Sequence, residues 1–248
     1  MTLKINPKKW TILLLLIPAF LFAASGLQIV RKLDQNRGYG TQKFSMKMTI
    51  QKGKRTQVKK FVGYGKERGD KSYMEFTNVE DKGVKYLKVK DELWIYLPEA
   101  DDIMKISGHM LRRGMMGSDL SYEDMMQDEN FEKRYDVKLL GSERVRGVNC
   151  HKVKLTAKVK DALYAEQILY VDKKRPVALK IDMYARGGRL MKSMQQYNVK
   201  VIQGRHVAMK TTIQDKRKKN SMTTLEITGI QFNVKVPGRV FTSRYLKR

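Results

Sequence analysis

Residues 152–160, KVKLTAKVK, place an aliphatic side chain at every second position between lysines and a threonine. Successive side chains of a β-strand point to opposite faces of a sheet, so Val153 and Leu155 would be buried while the lysines face water. This pattern is typical of an antiparallel strand with one exposed face. The same period recurs, between turn residues, in four further stretches, 44–51, 177–183, 207–213 and 230–236. Together with weaker runs, they predict a mainly β protein with one antiparallel sheet of about 10–11 strands.

Helical patterns are few. Ser25 is a predicted N-cap for a helix over 26–36, and Ser121 followed by Asp124 predicts a capping-box variant that begins a helix over 121–130. Two short helices cannot cover so large a sheet. We therefore expect a strongly curved sheet, an incomplete β-barrel with a short helical lid, whose uncovered concave face is the candidate binding site.

Methionine is concentrated in residues 93–126, LWIYLPEADDIMKISGHMLRRGMMGSDLSYEDMM, which hold six of the fifteen methionines of the chain. Methionine is flexible and polarizable, so such a cluster suits a surface that adapts to apolar ligands, although it also fills irregular cores. Both interpretations remain open. Trp94 and Tyr96 alternate with Leu93 and Ile95, so only one of these pairs can face the concavity. The predicted cavity-wall residues are Met46, Met48, Met74, Phe76, Trp94, Tyr96, Met104, Met110, Leu111, Met115, Met116, Met125 and Met126.

Two consecutive arginines, Arg112 and Arg113, lie inside this methionine-rich segment. A guanidinium group binds phosphate or carboxylate in bidentate fashion, so we place both arginines at the mouth of the cavity as candidates for head-group binding. An equally simple interpretation is that they are solvated loop residues.

The N-terminus has the features of an export signal. Three lysines precede an uncharged run from Trp10 to Ala24, which ends in small residues. The run is short for a membrane span, so we expect residues 1–25 to be a cleaved secretory signal peptide and 26–248 to form one periplasmic domain. An uncleaved inner-membrane anchor is the alternative. Cys150 is the single cysteine, which excludes an intramolecular disulfide.

The chain carries a net charge of +26, which favours contact with polyanions. Export argues against nucleic acid and leaves an anionic membrane surface or an acidic partner protein. Because the lysines are spread over many predicted strands, an ordinary solvent-exposed surface explains them equally simply.

Catalytic patterns are missing from the sequence. His109, His151 and His206 are far apart and have no metal-ligand spacing, and Cys150 and His151 would point to opposite faces of a strand. Helix capping accounts for Asp119 and Asp124. We therefore predict no catalytic residue, no metal and no cofactor.

Three stretches carry a resemblance to a known family. LWIYLPEADDIMKISGHMLRRGMMGSDLSYEDM, ILYVDKKRPVALKIDMYARGGRLMKSM and NVKVPGRVFTSRYLKR resemble the bacterial outer-membrane lipoprotein-sorting proteins, the LolA-like group related to the LolA and LolB lipoprotein carriers. The resemblance implies an incomplete β-barrel whose hydrophobic cavity holds acyl chains of a lipid or lipoprotein during transit to the outer membrane. It also implies an alternative role, because some relatives serve lipid exporters of the resistance-nodulation-division type. In that role the chain would dock on an inner-membrane transporter through its basic surface, with a small or filled cavity.

Overall fold

A single antiparallel sheet of thirteen strands organises the computed structural model, which describes residues 25–126 and 131–248. The strands are β1 (Thr41–Lys52), β2 (Arg55–Lys66), β3 (Lys71–Phe76), β4 (Lys85–Val89), β5 (Glu92–Leu97), β6 (Asp102–Ile106), β7 (Tyr135–Val145), β8 (Val148–Ala157), β9 (Glu166–Asp172), β10 (Ala178–Tyr184), β11 (Leu190–Ile202), β12 (Arg205–Asp215) and β13 (Ser221–Phe232). Their order in the sheet is β6-β5-β4-β3-β2-β1-β13-β12-β11-β10-β9-β8-β7. The predicted mainly β fold is confirmed, with more strands than the sequence pattern suggested.

This order consists of two meanders, β1 to β6 and β7 to β13, joined where β1 pairs with β13. The sheet is not closed, because β6 and β7 lie at its two opposite edges. The chain between these strands must therefore cross one whole face of the sheet. We call residues 107–126, the described first part of this crossing, the lid, and the face that it covers the inner face.

In the described part of the chain, four short α-helices accompany the sheet: α1 (Gly26–Arg37), α2 (Tyr122–Met126) within the lid, α3 (Phe131–Arg134) and α4 (Ser243–Leu246). The two predicted N-caps are confirmed. The Ser25 side chain accepts from the Gln28 backbone N–H while the Gln28 side chain accepts from the Ser25 backbone N–H, a full capping box. The Ser121 backbone N–H donates to Asp124 Oδ2 over 2.7 Å.

Two sequence predictions extend beyond the described residues. The predicted signal peptide lies outside them except for Ser25, and so do the last four residues of the helix expected over 121–130. Among the helices of the described part, none has the length and apolar character needed to cross a membrane.

Two apolar clusters occupy the inner face. One packs Val30 and Leu33 of α1 against β7 to β11, and the other packs Met115 of the lid against β1 to β6. On the outer face, the C-terminal segment that includes α4 covers β3 to β5, where Leu246 is fully buried.

The structure corrects two of the predicted alternations. In β10 the register shifts between Ala178 and Lys180, so Leu179 packs on the outer face while Ile181 packs on the inner face. The sequence pattern had placed both side chains on one face. The alternation over 230–236 also ends early, because β13 ends at Phe232.

Candidate functional site

A cavity of about 560 Å³ lies between the inner face of the sheet, α1 and the lid, and an overlapping cavity of about 280 Å³ extends it under the lid. Its roof includes Leu33 of α1, Phe131 of α3 and Met125 of the lid. Leu93 on β5 and Gln167 on β9 line the same cavity although eight strands separate β5 from β9 in the sheet. The inner face must therefore be concave, as the sequence predicted.

The floor of the cavity is apolar and lies where the two meanders meet. Phe44 and Met46 of β1 stand opposite Ile230 and Ile227 of β13. Ile227 and Ile230 are three residues apart and would alternate in a regular strand, but a register shift at Ser45/Met46 directs both into the cavity. The bulge therefore adds one more aliphatic side chain to the floor.

A buried polar cluster fixes one part of the lid to the sheet. Asp119 Oδ2 accepts hydrogen bonds of 2.9 Å from Ser221 Oγ and from Thr223 Oγ1, and the Asp119 backbone N–H donates to Thr223 Oγ1. Asp119 is 1% exposed. Its role is to bind the lid to β13, which corrects the prediction that helix capping accounts for it.

An ion pair fixes the second part of the lid. Lys192 of β11 contacts Asp124 of α2 through Nζ and Oδ2, and Tyr164 donates to Asp124 Oδ1 over 2.6 Å. All three side chains line the cavity. Burial raises the pKa of Tyr164 far above its ordinary value, and the neighbouring Asp124 carboxylate raises it further, so the hydroxyl stays protonated as a donor. The lid is thus held by a charged contact inside the cavity wall.

The cavity opens beside Arg68, which is the exposed residue of its lining. The Arg68 Nη2 donates to the backbone oxygen of Asp34 in α1 over 3.0 Å, and Arg37 and His206 line the same region. Sequence reasoning missed these three residues. They come from α1, the β2–β3 turn and β12, and no local pattern links those three places.

Many of the predicted cavity-wall residues do lie together on the inner face. Met48, Phe76 and Met115 are buried in the lid-side cluster, and Met110, Leu111, Met116 and Met126 pack against it. The residues that reach the cavity surface itself are Met46, Met74, Met115 and Met125. Some of the methionines therefore pack in a core, and others line the cavity.

Five predicted site residues lie elsewhere. Trp94 and Tyr96 pack on the outer face against the C-terminal segment, so Leu93 and Ile95 are the pair on the inner face. Arg112 and Arg113 are exposed on the lid and do not line the cavity, whose opening is beside Arg68. In addition, Met104 lies 37% exposed on the edge strand β6, away from the cavity lining.

Within residues 25–126 and 131–248, no three His, Cys, Asp or Glu side chains are grouped to hold a metal ion. Cys150 is fully buried in the outer-face cluster, where burial raises the pKa of its thiol, and His151 extends toward the opposite face. The cavity instead combines an apolar floor with cations at its opening.

Comparison with known proteins places this architecture in a class. Among solved structures, a DUF1329 family protein from Desulfovibrio piger superposes with a TM-score of 0.81 at 26% identity, over 89% of this chain and 97% of that one. A domain assigned as an outer membrane lipoprotein-sorting protein from Vibrio parahaemolyticus gives 0.79 at 23% identity, over 90% and 98%. A LolA superfamily protein from Nitrosomonas europaea gives 0.74 at 18% identity, over 90% and 100%. The fold is that of the LolA superfamily.

The chain's own family is defined by sequence. A family whose description is "Uncharacterized protein" matches residues 68–248, and the chain belongs to this family. No curated protein gives a significant match. The resemblance to the LolA-like group is confirmed, and the structure extends it over nearly the whole described chain.

Proposed function

We propose that the protein is a non-catalytic periplasmic carrier, which binds the acyl chains of a lipid or lipoprotein in its cavity and moves them toward the outer membrane. The observation that carries the proposal is an open apolar cavity of about 560 Å³ roofed by a lid. This volume falls within the range of about 300 to 1,000 Å³ that is usual for small-ligand sites.

The energetics fit a carrier that must release its cargo. Burial of an acyl chain of ~15 carbons contributes about 12 kcal/mol at ~0.8 kcal/mol per methylene. Association costs about 4 to 15 kcal/mol in lost freedom of motion, so the net affinity is moderate. Arg68 at the opening adds charge-assisted binding for an anionic head group.

The alternative role, a module that docks on an inner-membrane exporter, predicts a cavity that is small or filled. The size of the cavity favours the carrier. Two overlapping cavities share the partly exposed side chains of Ile227 and Ile230, which an ordinary core would cover.

Native mass spectrometry of protein taken untreated from the producing cells tests the proposal. We expect an added mass from a molecule with acyl chains, which organic extraction removes and a fatty acid restores. A protein that shows only its own mass, and that binds no fluorescent fatty acid, contradicts carrier function. Recovery of an inner-membrane transporter with such an empty protein supports the docking role instead.

A further inference from the structure

A strongly basic surface lies at the end of the molecule that the lid occupies. We call it the basic pole, and it consists of three segments: the β1–β2 turn with Lys52, Lys54 and Arg55, residues 216–219 (KRKK) in the β12–β13 turn, and Arg112 and Arg113 of the lid. All of these side chains are exposed except Lys218, which is half-buried.

Direct contacts bring the three segments together. The Gly53 backbone N–H donates to the Asn220 oxygen over 2.7 Å, which joins the two turns. Lys218 Nζ donates to the Ser118 oxygen of the lid over 2.8 Å. Lys52 Nζ also approaches the lid, 3.3 Å from the position that a Cβ of Gly117 would take. The pole is therefore one continuous surface.

The positive charge of this surface is largely uncompensated. Arg217 pairs with Asp215, and Lys218 lies 3.9 Å from Asp119, both buried carboxylates. Within the described ranges, no carboxylate pairs with the other cations of the basic pole. In the described residues, the nine cations of the basic pole are thus accompanied by two carboxylates, Asp215 and Asp119, which are both buried.

Apolar side chains are exposed among these cations. Met222, 40% exposed, stands opposite Gln51 on one side of β1, and Val58, 44% exposed, stands opposite Thr49 on the other side. Exposed apolar groups near lysine and arginine are typical of proteins that bind at a bilayer interface, where the cations meet lipid phosphates and the apolar groups enter the head-group region.

From this arrangement we infer that the basic pole docks the protein on an anionic phospholipid bilayer. β1 runs from the cavity opening near Arg68 to Lys52 at the pole, about 35 Å for twelve extended residues. Docking at the pole therefore brings the lid, and not the opening, against the head groups. The inference goes beyond the proposed function and does not depend on it, since bilayer binding and acyl-chain binding are measured separately.

Vesicle co-sedimentation tests the inference with the purified protein, using vesicles of phosphatidylcholine alone and of phosphatidylcholine mixed equally with phosphatidylglycerol. We expect binding to the anionic vesicles only, weakening as salt rises. The variant R112E/R113E/K216E/K219E should bind them at least about tenfold more weakly, because it reverses four of the nine charges that would attract the lipid phosphates.

The matched control is K82E/K138E/K173E/K200E, which changes the net charge equally at exposed positions outside the basic pole. It should retain most of the binding. Equal loss in both variants shows a response to net charge alone and overturns the inference, as does the absence of wild-type binding. Binding to polyglutamate but not to anionic vesicles assigns the pole to an acidic protein and likewise overturns it.

Two further measurements keep the result interpretable. Circular dichroism and urea unfolding show whether each variant is folded. If the charge reversals fail to fold, the neutral variant R112Q/R113Q/K216Q/K219Q replaces them, with an expected loss of several-fold. Retention of full vesicle binding by a folded neutral variant contradicts the inference.

Discussion

Lys192 of β11 and Asp124 of the lid form an ion pair whose side chains are 4% and 11% exposed. The contact joins residues 68 positions apart and is completed by the hydroxyls of Ser121 and Tyr164. Charges that leave water are stable only when they are paired and hydrogen-bonded, and each group here has such partners. The lid is therefore bound to the sheet by a contact that is costly to break.

Asp124→Asn should destabilise the protein by about 3 kcal/mol, because it leaves the Lys192 ammonium buried without its counter-charge. The double variant Asp124→Leu/Lys192→Met removes both charges and should recover much of this loss. Urea unfolding followed by circular dichroism measures both. If the single variant unfolds at the wild-type urea concentration, the pair does not hold the lid.

Thr211→Trp should abolish acyl-chain binding with a small effect on stability. Thr211 is on β12 and lines the cavity, so an indole ring at this position would fill part of the cavity volume. Thr156→Trp is the control, because Thr156 is an exposed threonine on β8. Displacement of a fluorescent fatty acid gives both affinities, and equal affinities for the two variants would show that ligand binds elsewhere.

Arg68→Gln should weaken binding of a fatty acid by about threefold to tenfold and leave binding of the matching fatty alcohol unchanged, since only the acid carries a charge for the guanidinium. Arg68 is exposed, so the effect should shrink as salt rises. Arg244→Gln, at an exposed position in α4, is the control variant. A parallel loss for acid and alcohol would assign Arg68 a structural role.

Leu246→Ala should lower the free energy of unfolding by about 2 to 5 kcal/mol, because Leu246 is fully buried where the C-terminal segment packs against the sheet. Acyl-chain binding by the folded variant should not change, since this segment covers the outer face. Leu140, 44% exposed, provides the control, and Leu140→Ala should cost less than about 0.5 kcal/mol. Thermal unfolding with and without fatty acid separates stability from binding.

Gly114→Ala should distort the lid, because the added Cβ would lie 2.1 Å from the backbone oxygen of Ser118. Overpacking of this kind costs about 1 to 3 kcal/mol. At Gly40 a Cβ meets no atom within 4 Å, so Gly40→Ala should be nearly neutral. Hydrogen exchange of the lid amides measures the difference, and unchanged protection in the Gly114 variant would refute the tight packing.

Local patterns predicted the class of fold correctly. The alternation of apolar and polar side chains predicts a strand residue by residue. The capping boxes at Ser25 and Ser121 each use a pattern of only four residues to mark the start of a helix. The bulges at Leu179 and in β13 escaped prediction because each inserts one residue whose effect depends on the partner strand.

The site was predicted only in part for a related reason. The methionines of the lid signal an apolar wall by composition alone. By contrast, the inner face of β5 is set by the distant C-terminal segment, which packs on Trp94. The residues of the opening, Arg37, Arg68 and His206, meet only once α1, the β2–β3 turn and β12 are in place. These contacts join segments that are far apart in the sequence, so local sequence patterns do not predict them.

The pairing of β1 with β13 also bears on the order of assembly. These neighbouring strands are separated by almost the entire domain in sequence, and contacts between such distant segments form late and slowly. Phe44 and Ile230, which stand on either side of that seam, form the floor of the cavity. The cavity therefore has no complete floor until β13, the last strand of the chain, has paired with β1.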